Sequence, residues 1–364
     1  EMKMKKIKLF DPYVGDEERA SVERILNSHF WASGSGEGLV KKFETKFRTF
    51  VDSKNCVAVN SGTAALNLAV SLFDIKNKEV LLPSMSFIST ANCVTINGGK
   101  PVFVDINPTT LNMDVDDIKK NINKKTVMIL PTHFAGLPSN LKEISKISQE
   151  NNLITIEDAA HAAGSRYNSK RIGSHSDVVC FSFHPVKNLS MPTGGLISLN
   201  HKNHRKMRKI LEASRWCGIT DRKDQFYDVK SLGNNYYMNE FSAAIGLIQL
   251  KKLDKMNKIR KKVAKKYEQR INLENKMPFD ENCSYHLYWI LVKNREQFIK
   301  KMTAKKIEVE IHYRPIHQMT LYKNLAELPI TENIGEKIIS LPLHPNLTGE
   351  EIERVIDAVN ENVN

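Results

Sequence analysis

No run of 18 or more apolar residues occurs in the 364-residue chain, which excludes a transmembrane helix. The opening residues, Glu1 to Lys8, alternate charge with Met and Ile and lack the apolar stretch of a signal peptide, which argues against secretion. Cysteine pairs are missing too. Cys56, Cys93, Cys180, Cys217 and Cys283 are odd in number and widely spaced, with no CxxC pattern. A disulfide framework and a zinc or other metal site are therefore not expected, and a reducing cytoplasm is the natural setting. There is no internal repeat and no low-complexity linker. Acidic residues fall short of basic ones: 41 Asp and Glu stand against 54 Lys and Arg, a net charge of +13. A basic surplus suits nucleic acid, a membrane surface or phosphorylated small molecules, and selects none of them by itself.

What is present is a globular composition. Hydrophobic residues make up 41% and charged residues 26%, enough apolar material for a sizeable core. The length fits two domains, or one large domain with an appendage. From Asp16 to Phe50 the pattern reads as helix, turn, helix, broken at Gly34-Ser35-Gly36. Short apolar runs then alternate with helical spacing. The runs are Val57–Val59, Val80–Leu82, Pro101–Val104, Val127–Leu130, Ile154–Ile156, Val178–Phe183 and Leu196–Leu199. Such an alternation predicts an α/β fold with a buried, mostly parallel sheet covered by helices on both faces. After about residue 248 the character changes. Leu253, Met256, Val263 and Tyr267 lie at helical spacing on a long segment, with nine Lys or Arg between Lys251 and Lys266. That surplus reads either as the solvated face of a linking helix or as a nucleic-acid or membrane helix, and the first reading is preferred. Strands over His286–Val292 and Val309–Tyr313, with helices over Glu296–Lys305 and Glu350–Asn360, complete a small α+β domain. The expected division is a large domain over 1–248 and a small one over 249–364.

Three segments carry chemistry. Ser61-Gly62-Thr63-Ala64 follows a strand and opens a helix. The amides of Thr63 and Ala64 would face outward where the helix dipole favours an anion, such as a phosphate, although an ordinary N-cap has the same appearance. In Ile156-Glu157-Asp158-Ala159-Ala160-His161 a carboxylate closes an apolar strand. A buried Asp158 needs a cationic partner such as a protonated pyridine nitrogen, unless it merely caps a helix. His161 would then contact a ligand or pack. In Phe181-Ser182-Phe183-His184-Pro185-Val186-Lys187 a strand end carries a hydroxyl and then a lysine. Taken alone Lys187 reads as a surface residue. Opposite an aspartate and a phosphate cradle it can form a Schiff base with an aldehyde, provided desolvation keeps its amine neutral.

With these motifs in this order, the chain resembles the DegT/DnrJ/EryC1/StrS family of nucleotide-sugar aminotransferases. Further matching segments run nearly end to end. They include Pro83-Ser84-Met85-Ser86-Phe87, Pro131-Thr132-His133-Phe134-Ala135-Gly136, Leu232-Gly233-Asn234-Asn235-Tyr236-Tyr237-Met238 and His312-Tyr313-Arg314-Pro315. The resemblance implies the fold-type I aminotransferase architecture, with a large, mostly parallel seven-stranded sheet sandwiched by helices and a small C-terminal α+β domain. It implies pyridoxal 5'-phosphate as cofactor, glutamate as amino donor and a nucleotide-linked keto-sugar as acceptor, with no nucleic acid or membrane partner. By the same resemblance Lys187 is the Schiff-base lysine and proton shuttle, and Asp158 the partner of the pyridine nitrogen. Phe87 stacks on the cofactor ring, while Gly62, Thr63, Ala64 and Ser182 hold the phosphate. His161 lies near the ring oxygen. Asn235 reaches the phosphate from the neighbouring subunit, which implies a homodimer with shared sites. His312 and Tyr313 border the nucleotide-sugar site. The chain departs from the family pattern at Thr193, where an acidic residue is frequent, at Tyr237 for arginine and at Ser242 for glutamine. His161 and the Phe183-His184 pair point to C4 amination of a UDP-linked 4-keto-6-deoxy sugar. Sugar dehydratases of the same family carry histidine in place of the lysine, so Lys187 disfavours that alternative. The intact lysine, aspartate and cradle likewise disfavour a non-catalytic regulator that binds a nucleotide sugar.

Overall fold

Five-residue apolar segments pair edge to edge into the central sheet of the structure, a computed structural model that describes residues 5–363. Residues 1–4 of the expected Glu1–Lys8 segment, and residue 364, lie outside the described residues. The first helices are α1 (Asp16–Ser28) and α2 (Leu39–Val51), separated by the glycine-containing break as expected. The sheet takes β1 (Asn55–Val59), β2 (Glu79–Pro83), β3 (Lys100–Val104), β4 (Thr126–Ile129), β5 (Ile154–Asp158), β8 (Val178–Ser182) and β9 (Gly195–Leu199). The short β6 (Arg166–Tyr167) and β7 (Lys170–Arg171) form a separate hairpin. The strand order is β1-β9-β8-β5-β4-β2-β3. Only β9 runs antiparallel to its neighbours. The crossovers carry α3 (Gly62–Ser71), α4 (Ser89–Ile96), α5 (Val115–Asn121) and α6 (Leu141–Glu150).

The strands alternate sides as their pleat requires. Val57 and Val59 face a core that includes Ala65 and Val94, whereas Cys56 and Ala58 face one built on Phe43 and Phe47. Burial on both faces explains why the strands read as nearly continuous apolar runs.

After β9 come α7 (His204–Ser214) and a hairpin of β10 (Ile219–Lys223) and β11 (Phe226–Val229). Then α8 runs unbroken over Glu240–Arg270 and passes through residue 248. Lys251, Lys255, Lys258, Lys262 and Lys265 on it are exposed. Arg260 is the exception: it is 3% exposed and donates to the carbonyls of Tyr285 and Leu343. The C-terminal part holds β12 (Tyr288–Leu291), α9 (Arg295–Ala304), α10 (Pro329–Lys337), β13 (Ile338–Leu341) and α11 (Gly349–Asn362). Thr348 caps α11, accepting from Glu351 N while Glu351 returns a bond to the cap amide. Ile7, far away in sequence, bridges Ile307 and joins this second core.

The strand expected over Val309–Tyr313 does not form. β12 pairs with β13 instead, and the segment touches β13 only through the bridge Glu310–Ser340. Pro315 lacks the N–H that a ladder needs, and His312 and Tyr313 turn into a cavity.

Candidate active site

The carboxyl ends of β5 and β8, the start of α3 and the 312–313 segment enclose a cavity of about 390 Å³. Gly62 and Thr63 line it at the first two positions of α3, where helix amides have no intrahelical acceptor. The Ser61 hydroxyl caps the helix by accepting from Ala64 N at 3.0 Å. The amide of Ala64 is taken by that cap, and the residue is buried and does not line the cavity. Thr63 Oγ1 shares a 2.6 Å hydrogen bond with Ser89 Oγ. Gly62 admits no side chain, because a Cβ there would lie 2.6 Å from the Cβ of Ser182, which lines the same wall.

Asp158 ends β5 at 4% exposure. Its amide is held by the Pro131 carbonyl at 2.8 Å. One carboxylate oxygen accepts from the Thr90 hydroxyl at 2.8 Å and the other from Ala160 N at 3.1 Å. Burial pushes its pKa up, against the pull of those two bonds and of Lys187. Below it, His133 and Glu157 form a fully buried pair at 2.6 Å. Ser139 N–H donates to His133 Nδ1, so the imidazole proton sits on Nε2 and points at Glu157.

Lys187 lies on a short loop after β8. The loop is pinned by Lys187 N to the His184 carbonyl at 2.8 Å, and by Ser190 Oγ to the Lys187 carbonyl at 2.8 Å. Asn188 anchors it further to Asn257 and to the Ser284 carbonyl. Burial pushes the Lys187 ammonium down to about 8, although Asp158 pulls the other way. A lysine in this state supplies free amine near neutral pH.

His161 accepts from Ala135 N at Nδ1, 3.2 Å away, so its Nε2 carries the hydrogen and faces the Tyr313 hydroxyl at 3.0 Å. The Tyr313 oxygen thereby accepts, and its own hydrogen is left for another acceptor. Burial holds His161 well below its ordinary pKa, so it is neutral. Phe87 is 54% exposed and lines the cavity, its ring 6.2 Å from that of Tyr313. His312 lines the cavity as well, shares a 2.9 Å bond with Ser340, and is pushed down to about 4 by burial and by Lys187.

The cavity thus gathers Gly62, Thr63, Phe87, Asp158 and His161 with Ser182, Lys187, His312 and Tyr313. Asn235 is not among its walls: its side chain is exposed, and its carbonyl accepts from Asn60 Nδ2 at 3.1 Å. Sequence reasoning missed Thr90, the hydroxyl that orients Asp158, and His286, whose Nε2 lies 3.5 Å from Lys187 Nζ. Neither carries a local signal, because each arrives from a distant element. Among the described residues no cluster of three or more His, Cys, Asp or Glu could hold a metal. Among them, too, no helix is long and apolar enough to cross a membrane.

The model of the DegT/DnrJ/EryC1/StrS aminotransferase family matches residues 12–360. GDP-perosamine synthase of Caulobacter vibrioides is 33% identical over 370 residues, covering 98% of each chain. The solved structure of Helicobacter pylori PseC, an aminotransferase involved in the biosynthesis of pseudoaminic acid, superposes with a TM-score of 0.93 at 27% identity, covering 99% of each chain. The PLP-form of the sugar aminotransferase Spr1654 from Streptococcus pneumoniae gives 0.92 at 26% identity, covering 99% of this chain and all of the other. The chain belongs to the DegT/DnrJ/EryC1/StrS aminotransferase family.

Proposed function

We propose that the chain moves an amino group from glutamate to the keto group of a nucleotide-linked sugar, in a homodimer whose active sites are shared. It is a sugar aminotransferase of its family and works with pyridoxal 5'-phosphate. The observation that carries the residue assignments is the cavity, where a desolvated lysine, a buried aspartate and a helix N-terminus converge.

The residues suit this cofactor. Asp158 is buried with a hydroxyl and an amide as partners, so a cationic ring nitrogen complements it. The start of α3, with Gly62 close against Ser182, leaves backbone open to a phosphate. Phe87 offers a half-exposed ring face. When bound, the cofactor supplies an aldehyde that condenses with amines and a ring that takes up the electron pair released at the substrate carbon.

The chain's own groups do the rest. Asp158 holds the proton on the ring nitrogen. With the cofactor bound, Lys187 Nζ would be the base placed to take the proton from the amino-donor carbon and, once protonated, the acid that gives it back, in both directions of the exchange. His161, fixed as a neutral donor to Tyr313, orients that hydroxyl at the rim. His312 and Tyr313 face the sugar nucleotide, and Asn235 reaches the partner subunit's phosphate site. In this reading residues 1–248 form the cofactor-binding domain and 249–364 the small one, with α8 continuous between them and Ile7 packed into the second core. We place the protein in the cytoplasm, where its five unpaired cysteines stay reduced. The amino-sugar product would feed cell-surface glycan or related sugar biosynthesis.

The test is an activity screen of purified protein with pyridoxal phosphate, glutamate and a panel of keto-sugar nucleotides, beginning with a UDP-linked 4-keto-6-deoxy sugar. Amino-sugar and 2-oxoglutarate should form in equal amounts. Dehydrated sugar without 2-oxoglutarate would support the dehydratase alternative instead.

A further inference from the structure

His286 plays no part in the reaction as described above, yet it is the one side chain within hydrogen-bond distance of the Lys187 amine among the described residues. Its Nε2 lies 3.5 Å from Lys187 Nζ. The residue is 2% exposed, and its ring is clamped. Phe10 stacks on it with centroids 5.4 Å apart and planes 8° apart, and His161 packs against it at 4.4 Å. Arg260 donates to the Tyr285 carbonyl and so fixes the backbone just before it. The clamped ring therefore points a single nitrogen at the amine, while its buried Nδ1 has no partner.

We propose that His286 is a positioning residue that fixes the Lys187 amine at the cavity wall by accepting its hydrogen bond at Nε2. The inference rests on Lys187 being the lysine that carries the cofactor. An ammonium has three donors and no acceptor, so Nε2 must be bare when Lys187 is charged. The free amine can also donate to it, so the contact survives loss of the proton. His286 does not keep that proton, because burial and the neighbouring Lys187 hold its own pKa well below the ordinary value. The bond to the ammonium is the stronger of the two, because it is charge-assisted. Removing Nε2 should therefore make the amine less basic and leave it free to turn.

The other groups facing Lys187 are Asp158 on β5, His161 after β5, His184 on the same loop, and His312 from the C-terminal part. All are left intact by substitutions at 286, so a change in Lys187 titration reports on that position.

The experiment titrates Lys187 in apo-protein by trace acetylation with acetic anhydride across pH, quantifying its peptide by mass spectrometry. Wild type should show a midpoint near 8. His286→Phe keeps an aromatic ring in the clamp and removes the nitrogen, so the midpoint should fall by about one unit. His286→Gln places an amide where Nε2 was and should restore it. His286→Asn places its amide where Nδ1 was and should not. If the Phe variant fails to fold, the contrast between Gln and Asn decides alone. A midpoint unmoved or raised in His286→Phe, or restored by Asn and not by Gln, overturns the proposal. Borohydride trapping of the cofactor on a different lysine would instead refute the assignment of Lys187 and leave the titration result standing.

Discussion

Replacing Asp158 with Asn removes one charge and almost no volume. The structure accommodates the amide. Its oxygen can keep the Ala160 N–H bond, and its NH2 can donate to Thr90 Oγ1 if that hydroxyl turns its own hydrogen toward Ser86, 2.6 Å away. Both hydrogen bonds can therefore be kept, so before the charge is counted the fold should lose less than the net worth of one of them, about 1 kcal/mol. The cost to chemistry should be larger. At roughly 4 Å and an effective dielectric near 20, a carboxylate and a ring cation attract by about 4 kcal/mol. Even partial loss of that term slows amine transfer by about two to three orders of magnitude. Stability should move the other way in apo-protein. Burial raises the folded-state pKa of Asp158, so the folded protein retains a proton that the unfolded chain has released. Stability from this group is therefore present at low pH and lost as pH rises from the ordinary carboxylate range through the raised value. Asn removes that penalty. At pH 7 the apo variant should melt no lower than apo wild type, while the gain in melting temperature on adding pyridoxal phosphate should shrink. Turnover with glutamate and melting curves with and without cofactor measure both effects. Near wild-type turnover in Asp158→Asn would show that the residue is only a structural cap.

Capture of pyridoxal phosphate by apo-protein should speed up as pH rises and level off above about 8, because burial has depressed the Lys187 ammonium to that value. The same depression adds apo-protein stability as pH climbs from about 8 to 10.5, since the unfolded lysine binds the extra proton there; melting temperatures across that window should rise relative to Lys187→Met. Gly62→Ala would set a Cβ 2.6 Å from that of Ser182 and 3.2 Å from its Cα, so cofactor affinity should fall about tenfold or more while the sheet stays folded; equilibrium dialysis measures it. Mixed dimers of Lys187→Ala and Asn235→Trp chains should recover part of the activity that each lacks alone, because one of the two shared sites then has both residues intact; no recovery, or a monomer at working concentration, would refute the shared site.

Much of this site was legible in the sequence because its main groups sit at the carboxyl ends of apolar strands. Asp158 closes an apolar run, Lys187 follows one within a few residues, and Gly62 follows another. A buried strand leaves a clear pattern, and its last polar residue marks where the chain meets a ligand. The helix start was legible down to Gly62 and Thr63, yet the Ser61 cap that occupies the Ala64 amide depends on a side-chain rotamer. Thr90 and His286 were not legible: one is a hydroxyl inside a helix, the other a histidine just before an apolar strand, and only tertiary packing aims them at Asp158 and Lys187. The strand wrongly expected over Val309–Tyr313 and the unexpected β13 share a cause. Both are short apolar runs, and which of them pairs with β12 is set by the chain's path, not by local composition.

The most direct measurement is borohydride reduction of the purified protein with pyridoxal phosphate, followed by digestion and mass spectrometry. The cofactor's mass should be found on the peptide carrying Lys187. Glutamate added beforehand should prevent the labelling, and Lys187→Ala should abolish both labelling and amine transfer. Cofactor fixed on another lysine, or an alanine variant that still transfers the amine, would contradict the assignment of Lys187 as the reacting amine.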